Sequence, residues 1–417
     1  MTDYVILGSS AAGLTAIDAI RERDKDGHIT LVSKEPGPAY SRVALPYILS
    51  KEKNLAQITL QTDEYFSAND VETFIGVGAT ALDSEAKTIA LEDGRSLGYD
   101  KLLIGTGSAS LVPPIDGIDD ADVCYHWTLA DTRKLERQMS GAKSCFVIGA
   151  GFISLLTVSA LIKIAGLKYT VVEMADQVMP QLLDKTGGDA LERGMRDKGI
   201  DVMLGDSVTS IERRNGGYGV TLNSGKTYDA DMIVCGAGVQ PHIDFLRESG
   251  LEIASGILTN DHQETNVAGV YAAGDCAEGV DFLSGERVVH AIWPTAIDQG
   301  RAAGANMAGD SATYAGSLSW NVTELFGLSS ASIGEFRDRD GLESIIFHNP
   351  SANVYRKLLL DGGRMVGAVV IGRSEHIQDL GVVQAMIRRK TDVTRWNHLL
   401  HGERINYGMI AYESVKK

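Results

Sequence analysis

Two glycine-rich turns in this chain have the residue types needed to hold a pyrophosphate. The first reads Gly8-Ser9-Ser10-Ala11-Ala12-Gly13 and the second reads Gly149-Ala150-Gly151-Phe152-Ile153-Ser154. Small residues let the backbone bend sharply, and they let a phosphate come within hydrogen-bonding distance of a helix N-terminus. Serine replaces a glycine of the usual pattern once in each turn, at Ser10 and at Ser154. Each turn therefore predicts a dinucleotide site.

An acidic residue follows each turn at the place where it could meet a ribose. Glu35 comes after the second β-rich run of the chain, and Glu173 closes the corresponding run of the second turn. A carboxylate accepts hydrogen bonds from ribose hydroxyls and repels a 2′-phosphate. Glu173 therefore predicts a preference for NADH over NADPH. The alternative interpretation of both residues is a solvated surface acid.

The elements that must position these turns also occur twice. Tyr4–Leu7 is a short apolar run that precedes the first turn, and Ile29–Val32 is a β-rich run that follows a helical pattern. The same series begins again at Cys145–Ile148 and ends at Tyr169–Val172. Strand, tight turn, helix and strand form the parallel βαβ unit. Two copies predict two nucleotide-binding halves, and alternating apolar patterns after about Ser317 predict a small α+β domain.

Two further segments connect these motifs to a known family. Tyr99–Gly107 is an apolar run ending in a small-residue turn, and Thr265–Asp275 is a run ending in Gly-Asp. With all four motifs in this order, residues 1 to about 310 resemble the FAD-dependent pyridine nucleotide–disulfide oxidoreductase superfamily. The resemblance implies an α/β fold with two nested Rossmann-like domains and a small C-terminal α+β domain. The implied divisions are an FAD-binding domain at 1–112 and 246–314, an NAD-binding domain at 113–245, and a C-terminal interface domain at 315–417.

The resemblance also implies which residues bind each cofactor. The expected FAD residues are Gly8, Ser10, Ala11, Ala12, Gly13, Glu35, Arg42, Ala79, Thr106, Gly107, Gly274, Asp275 and Trp293. The expected NAD residues are Gly149, Gly151, Phe152, Ile153, Glu173 and Gly238. Tyr47 and Trp293 are candidates for contact with the flavin, with a core aromatic as the alternative for Trp293. His290 could donate a proton to reduced flavin, although a lone histidine beside an apolar run is more often structural.

One departure from the family pattern excludes disulfide reduction. The segment Tyr40–Tyr47 resembles the coenzyme A-disulfide reductase and NADH oxidase branch, but Val43 stands where that branch has its redox cysteine. The cysteines of the chain, Cys124, Cys145, Cys235 and Cys276, form no C-x-x-C pair. The remaining branch resembles rubredoxin and ferredoxin reductases and the NAD-binding part of nitrite reductase. Its usual lysine–glutamate pair is replaced by Tyr47 and Leu156.

The leading functional hypothesis is an NADH:acceptor oxidoreductase that exchanges electrons with an iron–sulfur protein or subunit through FAD. The chain resembles the FAD subunit of multi-subunit 2-oxoacid:acceptor oxidoreductases, phenylglyoxylate dehydrogenase in particular. A hetero-oligomer or a homodimer is therefore expected. Two alternatives stay open: a free-standing NADH oxidase or diaphorase, and a flavin-bearing signalling or interaction protein.

Composition restricts the partners and the compartment. The formal net charge of −16 argues against nucleic acid, which requires clustered Lys and Arg. No Cys or His spacing indicates a metal site, and neither a signal peptide nor a membrane-spanning run is expected. Few, scattered cysteines favour a reducing cytoplasm. A basic stretch near the end, which is either a solvated helix face or a docking patch, contains Arg388, Arg389, Lys390, Arg395 and Arg404.

Overall fold

A computed structural model describes residues 1–214 and 216–415 of the chain. The chain divides into two compact units. The first contains Met1–Ile48, Lys53–Ala109 and Val239–Leu318, and the second contains Leu49–Glu52, Ser110–Gly238 and Ser319–Lys417. The chain passes between the units near two short strands, Ser108–Ser110 and Val239–Pro241, and a short helix, Leu45–Leu49.

A five-stranded parallel sheet forms the centre of the first unit. Its strands lie in the order Val270–Ala272, Lys101–Ile104, Asp3–Leu7, His28–Ser33 and Val71–Ile75. The central strands are apolar on both faces, and Ile6, Leu31 and Leu103 are fully buried, which is the pattern of a parallel sheet covered on both sides. Helix Ala11–Arg23 connects strands Asp3–Leu7 and His28–Ser33, and helix Trp293–Met307 packs against it.

Smaller elements complete the first unit. They are the strand pair Ala39–Tyr40 and Thr59–Gln61; the sheet of Ala79–Asp83, Thr88–Leu91 and Ser96–Gly98; the sheet of Ile257–Leu258, Ala277–Val280 and Arg287–Val288; the helices Leu55–Ile58 and Asp63–Ala68; and the 3-10 turns Arg42–Ala44 and Asp244–Leu246.

The second unit contains the second βαβ arrangement. Its four parallel strands lie in the order Asp201–Leu204, Lys168–Glu173, Ser144–Ile148 and Met232–Cys235. Helices Leu129–Met139, Phe152–Ile162 and Lys185–Asp197 accompany this sheet, together with an antiparallel sheet of Val208–Arg214, Gly217–Leu222 and Thr227–Ala230. The repeated strand–turn–helix–strand series predicted from the sequence is present in both units.

An antiparallel sheet formed by the last quarter of the chain also belongs to the second unit. Its strands lie in the order Trp320–Leu325, Leu328–Gly334, Arg364–Gly372, Val354–Asp361 and Leu342–Asn349, with helices Leu380–Arg388 and Tyr407–Val415 and 3-10 turns Pro350–Ala352, Ser374–His376 and Thr394–Leu399. Leu325 and Val369 of this sheet share one apolar core with Val147 and Leu161. These arrangements confirm the predicted fold class.

A buried ion network joins the antiparallel sheet to the helix Lys185–Asp197. Lys357 is fully buried, and its ammonium nitrogen lies 3.2 Å from Asp184 Oδ2 and 2.8 Å from Asp338 Oδ2. The Tyr355 hydroxyl donates to the same oxygen of Asp184, and Asp184 caps the helix by accepting from the Gly187 amide at 3.1 Å. A buried ammonium is tolerated because carboxylates surround it.

Over the described ranges, no helix has both the length and the apolar character required to cross a bilayer. The same residues include no group of three or more His, Cys, Asp or Glu side chains able to hold a metal ion.

Candidate functional site

The first glycine turn brings three backbone segments so close together that side chains would not fit. Gly8 has a φ of +112°, and a Cβ built on it would lie 2.1 Å from the carbonyl oxygen of Gly105. A Cβ on Gly13 would lie 1.9 Å from the oxygen of Gly8. The Gly8 amide donates to Val32 O at 2.8 Å, and the Gly105 amide donates to Leu7 O at 2.8 Å. The turn therefore depends on glycine at these positions.

Helix Ala11–Arg23 begins at this turn without a side-chain cap. Ser10 occupies the N-cap position in an extended conformation, and its side chain makes no capping hydrogen bond. Ala11 and Ala12 are buried beneath the turn. The Ser10 side chain thus leaves the first-turn N–H groups open to another acceptor, which is the arrangement that suits a phosphate at a helix N-terminus.

The Gly274–Asp275 turn holds a carboxylate in a fixed orientation. Asp275 Oδ2 accepts from the Ser108 hydroxyl at 2.7 Å, and the Gly274 amide donates to Gln299 Oε1 at 2.8 Å. Burial raises the pKa of Asp275, while the Ser108 hydrogen bond and the charge of Arg42 act in the opposite direction. Thr106 lies two residues before Ser108 in the sequence, and its hydroxyl donates to His242 O at 2.8 Å. Gly107, with a φ of +67°, follows Thr106.

Glu35 and Arg42 form an ion pair. Glu35 Oε2 lies 2.5 Å from Arg42 Nη2, and the Tyr40 hydroxyl donates to the other carboxylate oxygen. The sequence assigned Glu35 to a ribose, and the resemblance implied that Arg42 binds FAD, without a contact between the two residues. The structure brings the two side chains together, so Arg42 also fixes the orientation of Glu35. Ala79 begins the strand Ala79–Asp83 and is partly buried.

The segment that carries Val43 and Tyr47 presents apolar side chains outward. Val43 is 59% exposed and Tyr47 is 46% exposed. The Lys53 ammonium lies 5.5 Å from the centroid of the Tyr47 ring, so this tyrosine has a cation beside it. Trp293, in contrast, is the first residue of the helix Trp293–Met307 and packs against the cluster that contains Ala11 and Ala12.

The second glycine turn has the same construction. Gly149 has a φ of +90°, its amide donates to Val172 O at 2.8 Å, and a Cβ on it would lie 2.7 Å from Gly236 O. Gly151 is the N-cap of helix Phe152–Ile162 and provides no side-chain cap. Ser154 takes the place of the third glycine, and its hydroxyl approaches Gly236 O at 3.4 Å.

Glu173 is held by the backbone on both carboxylate oxygens. Oε2 accepts from the Ala150 amide at 2.7 Å, and Oε1 accepts from the Ala175 amide at 3.0 Å. The carbonyl of Ala150 accepts from Met179 at 2.9 Å. The structure thus places Glu173 against the second turn; its binding to a ribose stays a prediction. Phe152, Ile153 and Leu156 follow on the helix, each partly exposed, and Gly238 has a φ of +116°.

All four cysteines are free and buried. Burial raises the pKa of each thiol. The pKa is about 11 for Cys235 and about 12 for Cys124, and the pKa values of Cys145 and Cys276 are raised as well. A protonated, inaccessible thiol neither attacks nor stores electrons as a disulfide. The chain therefore offers no thiol in place of the one missing at Val43.

One pair of residues in the first unit was not recognised as a pair from the sequence. His290 Nε2 and Asp281 Oδ2 are 2.9 Å apart, whereas the sequence suggested a lone histidine. The two residues are nine positions apart and flank a turn containing Gly285. The hairpin register, with Gly279 opposite Val288, does not by itself pair them, so the contact depends on the direction of the two side chains.

Comparisons with known proteins agree with this geometry. Residues 2–300 match the family model described as pyridine nucleotide-disulphide oxidoreductase. The chain belongs to that family. It is therefore a pyridine-nucleotide-linked oxidoreductase of a family whose members bind FAD and NAD(H). Residues 321–390 match the C-terminal domain of rubredoxin NAD+ reductase.

Two relatives and one solved structure are similar to the chain. The chain is 37% identical over 398 residues to the NADH-dependent phenylglyoxylate dehydrogenase subunit epsilon of Aromatoleum evansii, covering 94% of this chain and 93% of the relative. It is 33% identical to an NADH oxidase of Methanocaldococcus jannaschii, covering 79% of this chain and 75% of the relative. The fold matches that of a putidaredoxin reductase–putidaredoxin complex with a TM-score of 0.90 at 22% identity, over 100% of this chain and 99% of that chain.

Proposed function

We propose that this protein oxidises NADH through FAD and passes the electrons to an iron–sulfur partner, as the flavoprotein subunit of a cytoplasmic 2-oxoacid:acceptor oxidoreductase. The observation that carries the proposal is the combination of two complete dinucleotide turns with the lack of an accessible thiol among the four buried cysteines. Electrons that enter at a dinucleotide site must then leave to a partner or a small acceptor.

The first unit provides the residues that suit FAD. The predicted ligands of the first turn, Gly8 to Gly13, surround an uncapped helix start that favours the pyrophosphate. Asp275 offers a fixed carboxylate to ribityl hydroxyls, and Glu35 offers one to the adenosine ribose. Bound FAD supplies the hydride acceptor, a chemistry that amino-acid side chains do not provide. We assign residues 1–112 and 246–314 to this domain.

The second unit provides the residues that suit NADH. The turn Gly149–Ser154 leads into helix Phe152–Ile162, whose N-terminus favours the pyrophosphate. Glu173 is held by two backbone amides, and so it presents its remaining lone pairs in one orientation. A carboxylate at this position disfavours a 2′-phosphate. We assign 113–245 to this domain and 315–417 to a C-terminal interface domain.

The relatives support a protein partner. The phenylglyoxylate dehydrogenase relative is a subunit of a larger enzyme by its name, and the last quarter of the chain matches a domain of rubredoxin reductases. Copurification tests the assignment. Native protein should elute with additional subunits whose iron and labile sulfide can be measured. A native chain that elutes alone and carries no iron after gentle lysis would contradict the subunit proposal.

A docking surface for that partner is proposed at the basic run near the C-terminus. Arg388 ends the helix Leu380–Arg388, Arg389 follows it, and Arg395 stacks 5.5 Å above the Trp396 ring. Cationic side chains on an otherwise acidic protein steer an acidic partner toward one face. The double substitution Arg388→Glu and Arg389→Glu should slow electron transfer to the partner at least about tenfold, more at low salt.

The matched control for this experiment reverses two exposed charges of the first unit, Lys87→Glu and Arg247→Glu. It changes the net charge by the same amount and should leave transfer to the partner within about twofold, since neither side chain belongs to the basic run. NADH reduction of FAD is measured for both proteins. If the Arg388/Arg389 variant loses NADH reduction of FAD and electron transfer to the partner equally, the basic run is structural.

A second candidate function is NADH oxidation by oxygen, which the 33% identity to an NADH oxidase favours. Peroxide release distinguishes the two functions. Rapid, stoichiometric peroxide formation by the isolated chain under air would favour the oxidase, whereas slow formation favours transfer to a partner.

A further inference from the structure

The imidazole of His126 lies inside the second unit and contacts the helix Phe152–Ile162. His126 is 6% exposed and Thr157 of that helix is fully buried, with 2.8 Å between His126 Nδ1 and Thr157 Oγ1. The Thr157 hydroxyl donates to Ile153 O at 2.8 Å. Because a hydroxyl has one hydrogen, this oxygen is left to the ring only as an acceptor. Nδ1 therefore carries a proton and donates it to Thr157.

The ring is neutral at pH 7, and one of its nitrogens stays unpaired. Burial lowers the pKa of His126 to about 4, so the ring carries one proton, which is used in the bond to Thr157. Over the described part of the chain, the buried Nε2 atom has no hydrogen-bond partner. Leaving a buried polar atom unpaired destabilises a fold, and an apolar side chain would fill the same space without that loss. Packing alone therefore does not explain a histidine here, whereas the bond to Thr157 does.

The backbone beside His126 is attached to a strand that ends at the same glycine turn. The Cys235 amide donates to Cys124 O at 2.8 Å, so the segment that carries His126 is held on the last residue of that strand. The next residue, Gly236, packs against the turn, because a Cβ on Gly149 would lie 2.7 Å from Gly236 O. His126 thus connects the helix that begins at the second glycine turn with the strand that ends beside it.

We propose that His126 is a positioning residue for NADH. Its bond to Thr157 fixes the first turn of helix Phe152–Ile162 relative to the strand that ends at Cys235, so that the N–H groups at the helix start are aimed at a pyrophosphate. The ring acts through Thr157 and Ile153 and needs no contact with NADH. The inference rests on the proposed function, since it requires that the second unit binds NADH. Loss of the bond should weaken NADH binding and leave hydride transfer from bound NADH nearly unchanged.

The test is stopped-flow reduction of the FAD-loaded protein over a range of NADH concentrations, which gives an apparent Kd and a limiting rate. His126→Phe keeps an aromatic ring and removes the donor. It should raise the apparent Kd about 3- to 10-fold, the effect of one hydrogen bond, with the limiting rate within about twofold. His126→Asn places an amide N–H near the position of Nδ1 and should keep most of the affinity. His126→Gln places its N–H near Nε2 and should resemble His126→Phe.

A double-mutant cycle separates this role from a merely structural one. Thr157→Val removes the same hydrogen bond from the helix side, so it should raise the Kd equally, and the double variant with His126→Phe should rise no further. Thr132→Val is the matched control, because Thr132 is also fully buried and its hydroxyl donates to Thr128 O, four residues earlier, at 3.1 Å. The control should lower Tm about as much as Thr157→Val and leave the Kd for NADH unchanged.

The outcomes that would overturn the inference are distinct from those that concern the function. Additive effects of His126→Phe and Thr157→Val, an unchanged Kd in both single variants, or an equal rise of the Kd in Thr132→Val would each overturn the positioning role. If NADH does not reduce FAD in the unsubstituted protein, the proposed function fails and this inference fails with it. Reduction by NADH with unchanged variants overturns the inference alone.

Discussion

The carboxylate of Asp275 is the side chain on which FAD retention should depend most. It is fixed by the Ser108 hydroxyl at 2.7 Å, so a hydroxyl-bearing ligand meets an acceptor that needs no reorientation. Hydrogen bonds to charged groups contribute about 1.5–3 kcal/mol each. Asp275→Ala should therefore weaken FAD binding about 10- to 100-fold, measured by calorimetry on the apoprotein and by flavin content after gel filtration.

The controls for this prediction separate charge from shape. Asp275→Asn keeps an oxygen acceptor and should bind FAD with an intermediate affinity. Asp244→Ala removes an exposed acid of the same unit and should leave the affinity unchanged. An Asp275→Ala protein with full flavin content and unchanged affinity would show that this carboxylate does not contact the cofactor.

Glu173 should determine which pyridine nucleotide is used. Its two backbone contacts hold the carboxylate against the second turn, where it repels a 2′-phosphate. Glu173→Ser should raise the ratio of kcat/KM for NADPH to that for NADH at least about tenfold, which corresponds to about 1.4 kcal/mol. Asp201→Ser, at an exposed position on the next strand, is the control. Preference of the unsubstituted protein for NADPH would contradict the assignment.

Single residues differed in how far the sequence could predict their surroundings. The environment of Glu173 was predictable because the turn and its acid belong to one local βαβ unit. The Glu35–Arg42 pair and the Asp281–His290 pair were not predicted, because each depends on the direction of side chains outside regular strands. Residue types indicate what chemistry is available, whereas the path of the loops decides which side chains meet.

At the scale of elements, the contact between helices Ala11–Arg23 and Trp293–Met307 supports the first turn. A Cβ on Gly300 would lie 2.3 Å from Ala12 O, which is backbone and cannot move aside easily. Gly300→Ala should lower the free energy of unfolding by about 1–3 kcal/mol, as overpacking does, and should also weaken FAD binding because Ala12 lies in the turn. Thermal unfolding with and without FAD measures both effects.

The control for this helix contact is Asp298→Ala on the same helix, where the side chain is 50% exposed. Alanine is a better helix former than glycine, so an increase in stability for Gly300→Ala would mean that the helices separate readily.

The bounds of these helices were less predictable than their existence. The helical pattern fixes the apolar face, while the close approach at Gly300 depends on a neighbour almost 300 residues earlier in the chain.

At the scale of the whole molecule, the fold class followed from the repeated βαβ pattern, but the packing of the last quarter did not. Its alternating apolar runs predicted strands, and the strands are present. Their antiparallel order and the core that they share with the second parallel sheet arise from long-range contacts. The buried Lys357 illustrates the difficulty, because a lysine in a strand suggests a solvent-facing position until its partners Asp184 and Asp338 are known.

The electron capacity of the whole chain follows from what its cysteines cannot do. With the four thiols buried and their pKa values raised, the flavin is the only proposed electron store of the isolated chain. Anaerobic titration with dithionite should therefore reach completion at two electrons per FAD. Val43→Cys gives the positive control, since it places a thiol at a position that is 59% exposed in the native protein. After mild peroxide oxidation to a sulfenic acid, that variant should take up two further electrons and two protons to give thiol and water. Uptake of four electrons by the unsubstituted chain would show that a second redox centre is present.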